Sequence, residues 1–106
     1  MATPTSNVEI AVTKGALKIE AGAKRRAPVD TGYLRESINH RLEFSEDETV
    51  AIIGTNVDYA PHQEFGTEKM PPQSFLRPSL EEEIEGIKED IKAALIKDVK
   101  DGFGWE

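Results

Sequence analysis

Apolar residues recur along this chain with two different periods. Val8, Val12, Gly15, Ile19 and Gly22 follow one another at spacings of four and three, which places them on one face of a helix predicted from about Asn7 to Arg26. Ser6 and Glu9 have capping-box spacing at its start, and Ala27-Pro28 ends it. Ala11, Ala16 and Ala23 flank the stripe, so the helix can lie close against a sheet or another helix. Val29-Asp30-Thr31-Gly32 reads as a turn, with Gly32 able to take a positive φ. Tyr33-Leu34-Arg35 then leads into a segment of period two. Over a strand from about Ser37 to Phe44, Ile38, His40, Leu42 and Phe44 share one face, and Asn39, Arg41 and Glu43 share the other. Ser45-Glu46-Asp47-Glu48 is an acidic hairpin tip. The return strand Thr49–Gly54 is apolar on both faces and is expected to be the better buried of the pair.

The helical period returns near the end. Leu80, Ile84, Ile87, Ile91, Leu95 and Val99 form a stripe opposite Glu81, Glu85, Lys88, Glu89, Lys92 and Lys97. Ser79 and Glu82 have the spacing of a second capping box, and Gly102 is the expected stop. Between hairpin and helix, Val57 to Pro78 breaks both periods and holds four of the six prolines. Asp58 can cap a short helical turn from Tyr59 to Phe65, which Gly66 would end. Pro71 and Pro72 then exclude a regular element across Thr67 to Gln73. Tyr59, Phe65, Met70, Pro71, Pro72, Phe75 and Arg77 make this stretch a candidate interaction loop. Local chemistry alone also allows a connector whose apolar residues fold back on the core.

The order is helix, antiparallel hairpin, short helical turn, proline-rich loop and long helix packed on the sheet, an α+β arrangement. Residues near Phe65 to Met70 are candidates for a third strand, and an edge left open can pair with a neighbouring subunit. A length of 106 residues fits a single domain over 1–106, with flexible ends at about 1–6 and 102–106 and the loop at about 67–75.

Composition narrows the function classes. No apolar run approaches the roughly 20 residues that span a bilayer, and the N-terminus has no signal-peptide core. The absence of cysteine removes disulfides, thiolate metal sites and cysteine nucleophiles, and fits synthesis in a reducing cytoplasm. A net charge of −7 disfavours general nucleic-acid binding. The one basic run, Lys24-Arg25-Arg26, sits where cations suit a helix C-terminus. His62 and Glu64 lie close together and His40 lies on an apolar strand face, but the spacing matches no zinc signature. There is no phosphate-binding glycine loop and no Gly-x-Ser-x-Gly elbow. Asp30 and Asp58 are explained by turns. No catalytic residue, cofactor or metal is expected.

Three segments in order carry a resemblance. They are Ala27-Pro28-Val29-Asp30-Thr31-Gly32-Tyr33-Leu34-Arg35-Glu36-Ser37-Ile38, then Gly54-Thr55-Asn56-Val57-Asp58-Tyr59-Ala60-Pro61-His62-Gln63-Glu64-Phe65-Gly66-Thr67, then Met70-Pro71-Pro72-Gln73-Ser74-Phe75-Leu76-Arg77-Pro78. Together they resemble the small neck or tail-completion proteins of long-tailed bacteriophages and prophages. The match covers roughly residues 8 to 100. The resemblance implies a structural virion protein at the head–tail junction, working as a homo-oligomeric ring beside other neck and tail proteins. It implies no catalysis, no membrane, and DNA only as cargo passing through the ring. The pattern is kept at Pro28, Asp30, Thr31, Gly32, Tyr59, Ala60, Glu64, Phe65, Gly66, Pro72, Phe75, Leu76, Arg77 and Pro78, whereas His62 falls where relatives vary. The alternative class is a cytoplasmic binding or regulatory module that docks a partner through residues 57–78; a small hydrolase or nuclease is a third.

Overall fold

The computed structural model describes residues 3–28 and 33–104. The turn expected at Val29-Asp30-Thr31-Gly32, with its φ at Gly32, lies outside the described residues, as do Trp105 and Glu106.

The first helix, α1 (Asn7–Arg26), starts at the predicted capping box. Ser6 Oγ accepts from the Glu9 amide at 3.1 Å, and Glu9 Oε1 accepts from the Ser6 amide at 3.2 Å. A second acid also serves this terminus from far along the chain. Asp98 Oδ1 accepts from the Asn7 amide at 2.9 Å, and its Oδ2 from the Val8 amide at 3.0 Å. Gly15, Ala16, Ile19, Gly22 and Ala23 are buried, so the predicted small-residue stripe is the packed face.

Where a strand was expected to begin, Tyr33–Ser37 instead forms one helical turn, α2. The strand starts later, at Asn39. A helical turn carries Leu34 and Ile38 to the same side, and these are 2% and 1% exposed in the core. The Ser37 hydroxyl donates back to the Leu34 carbonyl at 2.7 Å. The hairpin comprises β1 (Asn39–Phe44) and β2 (Thr49–Gly54), antiparallel, with Leu42 opposite Ala51 and His40 opposite Ile53. No third strand joins them among the described residues. Residues 66–75 have no partner strand, because Thr67 and Met70 bond each other across a tight turn. As expected, β2 is on the whole the better buried strand: only Ile52 of its six residues is exposed, whereas Asn39, Arg41 and Glu43 of β1 are. The only fully buried ladder residue is still Leu42 on β1, and Ile52 is 43% exposed. Helices cover one face of the sheet, so the outer side chains of both strands meet solvent.

The short helix α3 (Ala60–Phe65) has Tyr59 as its N-cap and no side-chain cap, so Asp58 does not play the expected role; Pro61 sits in the first turn, where no amide is needed. The last helix, α4 (Leu76–Phe103), begins before the expected Ser79. Ser79 lies inside it, fully buried, its hydroxyl donating to the Phe75 carbonyl at 2.5 Å and accepting from Arg26 Nη1 at 3.0 Å. Gly102 is helical, and the helix ends at Gly104, whose φ is 71°. At 28 residues α4 is roughly 42 Å long.

α1 and α4 run antiparallel. Val8 meets Asp98, Gly15 meets Ile87, and Gly22 meets Ser79. A Cβ at Gly15 would stand 3.1 Å from Ile87 side-chain atoms, so glycine is what lets the helices approach there. The core joins Ala23 of α1 and its C-cap Ala27 to Leu34, Ile38, Val57, Ala60 and Phe75, with Ile53 and Leu76 packed against it. The α4 stripe is buried only in its middle: Ile87 is 7% exposed, Ile84 and Ile91 are half-buried, and Leu80, Leu95 and Val99 are 44–55% exposed.

Candidate functional site

The candidate site grows from the junction of α3 and α4. A helix starting at Leu76 leaves the amides of its first turn without intrahelical partners, and Pro78 has no amide to satisfy. Glu64 supplies the acceptors. Its Oε1 accepts from Phe75 at 3.0 Å and Leu76 at 2.8 Å, and its Oε2 accepts from Arg77 at 3.1 Å. A carboxylate at a helix N-terminus also meets the positive end of the helix dipole. Burial pushes the Glu64 carboxyl up, but the three amides outweigh burial and hold it below the usual glutamate range. The Ser74 hydroxyl donates to the Glu64 carbonyl at 2.6 Å, and the Gln73 amide donates to the Gln63 carbonyl at 2.7 Å. Both ends of the intervening loop are therefore tied to α3.

Gly66 opens that loop at φ 78°. Any Cβ there would lie 2.8 Å from the Pro72 nitrogen and 2.9 Å from the Met70 carbonyl oxygen. The chain thus leaves α3, turns through the Thr67–Met70 hydrogen bonds, passes over Gly66 and returns. Residues 67–73 are all exposed. The loop is solvent-facing but built on a bonded base.

Of the seven residues expected to form an interaction loop, six are at the surface. Met70, Pro71 and Pro72 stand on the loop, and Tyr59, 38% exposed, sits at the other end of α3. Phe65 and Arg77 line one apolar groove of about 520 Å³ with Ile19, Ala51, Ile53 and Leu80, between β2, α3 and α4. Phe65 is 67% exposed there. Phe75 departs from the expectation. It is fully buried among Ala23, Ile38 and Val57, because the Glu64 clasp turns it inward at the helix start, so it is a core residue and not a contact.

His62 is exposed and Glu64 buried, so these two neighbours in sequence do not share a site. His40 Nδ1 lies 2.5 Å from Glu20 Oε2, and Glu20 also pairs with Lys24 at 3.2 Å. No group of three or more histidine or carboxylate side chains is placed to hold a metal among the described residues. The basic run at the end of α1 is partly engaged, Lys24 with Glu20 and Arg26 with Glu82 and Ser79. No described helix is long and apolar enough to cross a membrane.

Sequence reasoning missed the role of Glu64. A usable signal was present: Pro78 is comfortable only in a first helical turn, which moves the start of α4 back to Leu76 and leaves its amides in need of an acceptor.

The site is thus a bonded, solvent-facing loop beside exposed apolar side chains on a small α+β body. A family model described as "Bacteriophage HK97-gp10, putative tail-component" matches residues 5–66, more than half of the sequence. The chain belongs to this HK97-gp10-like family of phage tail components. No curated protein and no solved structure matches it. The matched region contains the Pro28–Gly32 and Tyr59–Gly66 segments and stops where the proline loop begins.

Proposed function

We propose that this protein completes the phage tail at the head–tail junction, assembling there as a ring, with the 66–74 loop meeting a neighbouring neck or tail protein. The observation that carries this reading is the clasped loop. Its base is fixed by Glu64 and Gln63, while Met70, Pro71 and Pro72 face solvent beside the exposed Phe65. A pre-ordered protrusion gives up little conformational freedom on binding. Membership of a tail-component family supplies the setting, and the residual apolar surface at Leu95, Ile96 and Val99 suits burial by neighbours.

Electron microscopy tests it directly. The purified protein, or particles labelled with an antibody to it, should show rings or density at the neck. Density elsewhere along the tail, or absence from particles combined with a cytoplasmic binding partner, would replace the reading with that of a tail-tube component or a docking module.

A further inference from the structure

Two surfaces of opposite charge stand largely uncompensated among the described residues. One is the hairpin tip. Ser45 closes it, its amide donating to the Glu48 carbonyl at 2.9 Å and its Oγ accepting from the Glu48 amide at 3.1 Å. Glu46, Asp47 and Glu48 are exposed, and none has a cation within ion-pair distance among the described residues. Three carboxylates are thus held close together on a preformed turn. The other surface is a groove of about 470 Å³ between α1 and α4. Ile10 and Ala94 contribute to its apolar lining, and Lys14, Lys18 and Lys97 to its rim, with Asp90 the only acid. Among the described residues Lys14 and Lys97 form no ion pair, and Lys18 meets Asp90 only at 3.9 Å, both more than half exposed.

We propose that the acidic hairpin tip of one copy docks in the lysine-rimmed α1–α4 groove of the next, and that this is the contact by which the protein self-associates. The inference rests on the ring reading above and names its subunit contact. The occupant follows from charge. The tip offers three uncompensated negative groups in consecutive positions, and the groove offers three lysines. A nucleic acid is the poorer fit, because the lysines share the groove with Asp90 and apolar side chains, and the chain as a whole carries a net charge of −7. Tip and groove are different parts of the surface. Ile19 of α1 faces the hairpin side with Ala51 and Ile53, whereas Lys14 and Lys18 face the α4 groove. The contact is therefore head-to-tail, which closes into a ring when the rotation per copy divides a full turn.

A charge swap on the full-length chain tests this. One variant carries Lys14→Glu, Lys18→Glu and Lys97→Glu; the other carries Glu46→Lys, Asp47→Lys and Glu48→Lys. All substituted side chains are exposed, and circular dichroism checks that both variants keep the fold. In sedimentation velocity each variant alone should associate about tenfold or more weakly than wild type, since attraction becomes repulsion at three pairs. A one-to-one mixture should recover association, because each altered surface then meets a complementary one. Added salt should weaken the wild-type contact. Variants that associate like wild type, a mixture no better than its components, or a wild-type chain that stays monomeric would overturn the proposal. So would a groove variant that loses only DNA retention in a gel shift. Neck rings seen by microscopy without rescue in the mixture would refute this contact while leaving the ring reading in place.

Discussion

Glu64 is the residue on which the α3–α4 junction turns. Its two oxygens satisfy three amides that face no other acceptor, and a neutral amide in the same place would present its own N–H groups to them. Glu64→Gln should cost about 2–3 kcal/mol at neutral pH in a denaturant titration, the scale of hydrogen bonds to a charged group. The pH dependence has a defined sign. The folded state holds this carboxyl below its ordinary value of 4.5, so its contribution is complete above that pH and is lost as pH falls through the lower folded value. Wild type and Glu64→Gln should therefore converge in stability as the solution is acidified from pH 5. A gap that stays constant would mean that the carboxylate's charge is not what holds the helix start.

At the scale of elements, the α1–α4 pair depends on glycine at one position and not at another. A Cβ on Gly15 would crowd the Ile87 side chain at 3.1 Å, whereas Gly86 has nothing within 4 Å of where a Cβ would stand. Gly15→Leu should force the helices apart and cost about 1–3 kcal/mol. Gly86→Ala should stabilise α4 by about 0.5–1 kcal/mol, because alanine loses less backbone freedom in an exposed helix interior. Thermal unfolding of both variants checks the contrast, and equal effects would mean that the close approach at Gly15 is not a packing constraint. These elements were also where the sequence was most legible. The stripe from Val8 to Gly22 and the Ser6–Glu9 box defined α1 to the residue, and the alternation from Ile38 to Phe44 defined the inward face of β1. The start of α4 was less legible. Ser79 mimics a cap in sequence, but the true acceptor lies on a different element, a long-range pairing that no local spacing encodes. The turn at Tyr33–Ser37 was hidden for a similar reason, since burying Leu34 and Ile38 together is a tertiary demand. The candidate loop was legible from its prolines; that Phe75 belongs to the core was not, because its direction is set by the clasp.

For the whole molecule, stability and assembly should separate by residue. Phe75→Ala should cost about 3–5 kcal/mol, as for a fully enclosed aromatic side chain. Met70→Ala, on the exposed loop, should stay within about 0.5 kcal/mol of wild type yet lower the yield of infectious particles in a complementation assay. Full infectivity of Met70→Ala would remove the loop from the assembly surface. A further consequence lies in how the loop is anchored. Because the Gly66 amide bonds the His62 carbonyl at its start and Gln73 and Ser74 bond Gln63 and Glu64 at its return, the turn around Lys69 can be lengthened at the expense of the Thr67–Met70 hydrogen bonds without disturbing either helix. The protein is organised as a holder with an exchangeable tip. Doubling the length of the tip should cost only about 0.6 kcal/mol in closure entropy. Such a tip can be regrafted to suit a different neighbour while the rest of the chain stays as it is, and a glycine–serine insertion after Lys69 that leaves the unfolding midpoint nearly unchanged would show that modularity directly.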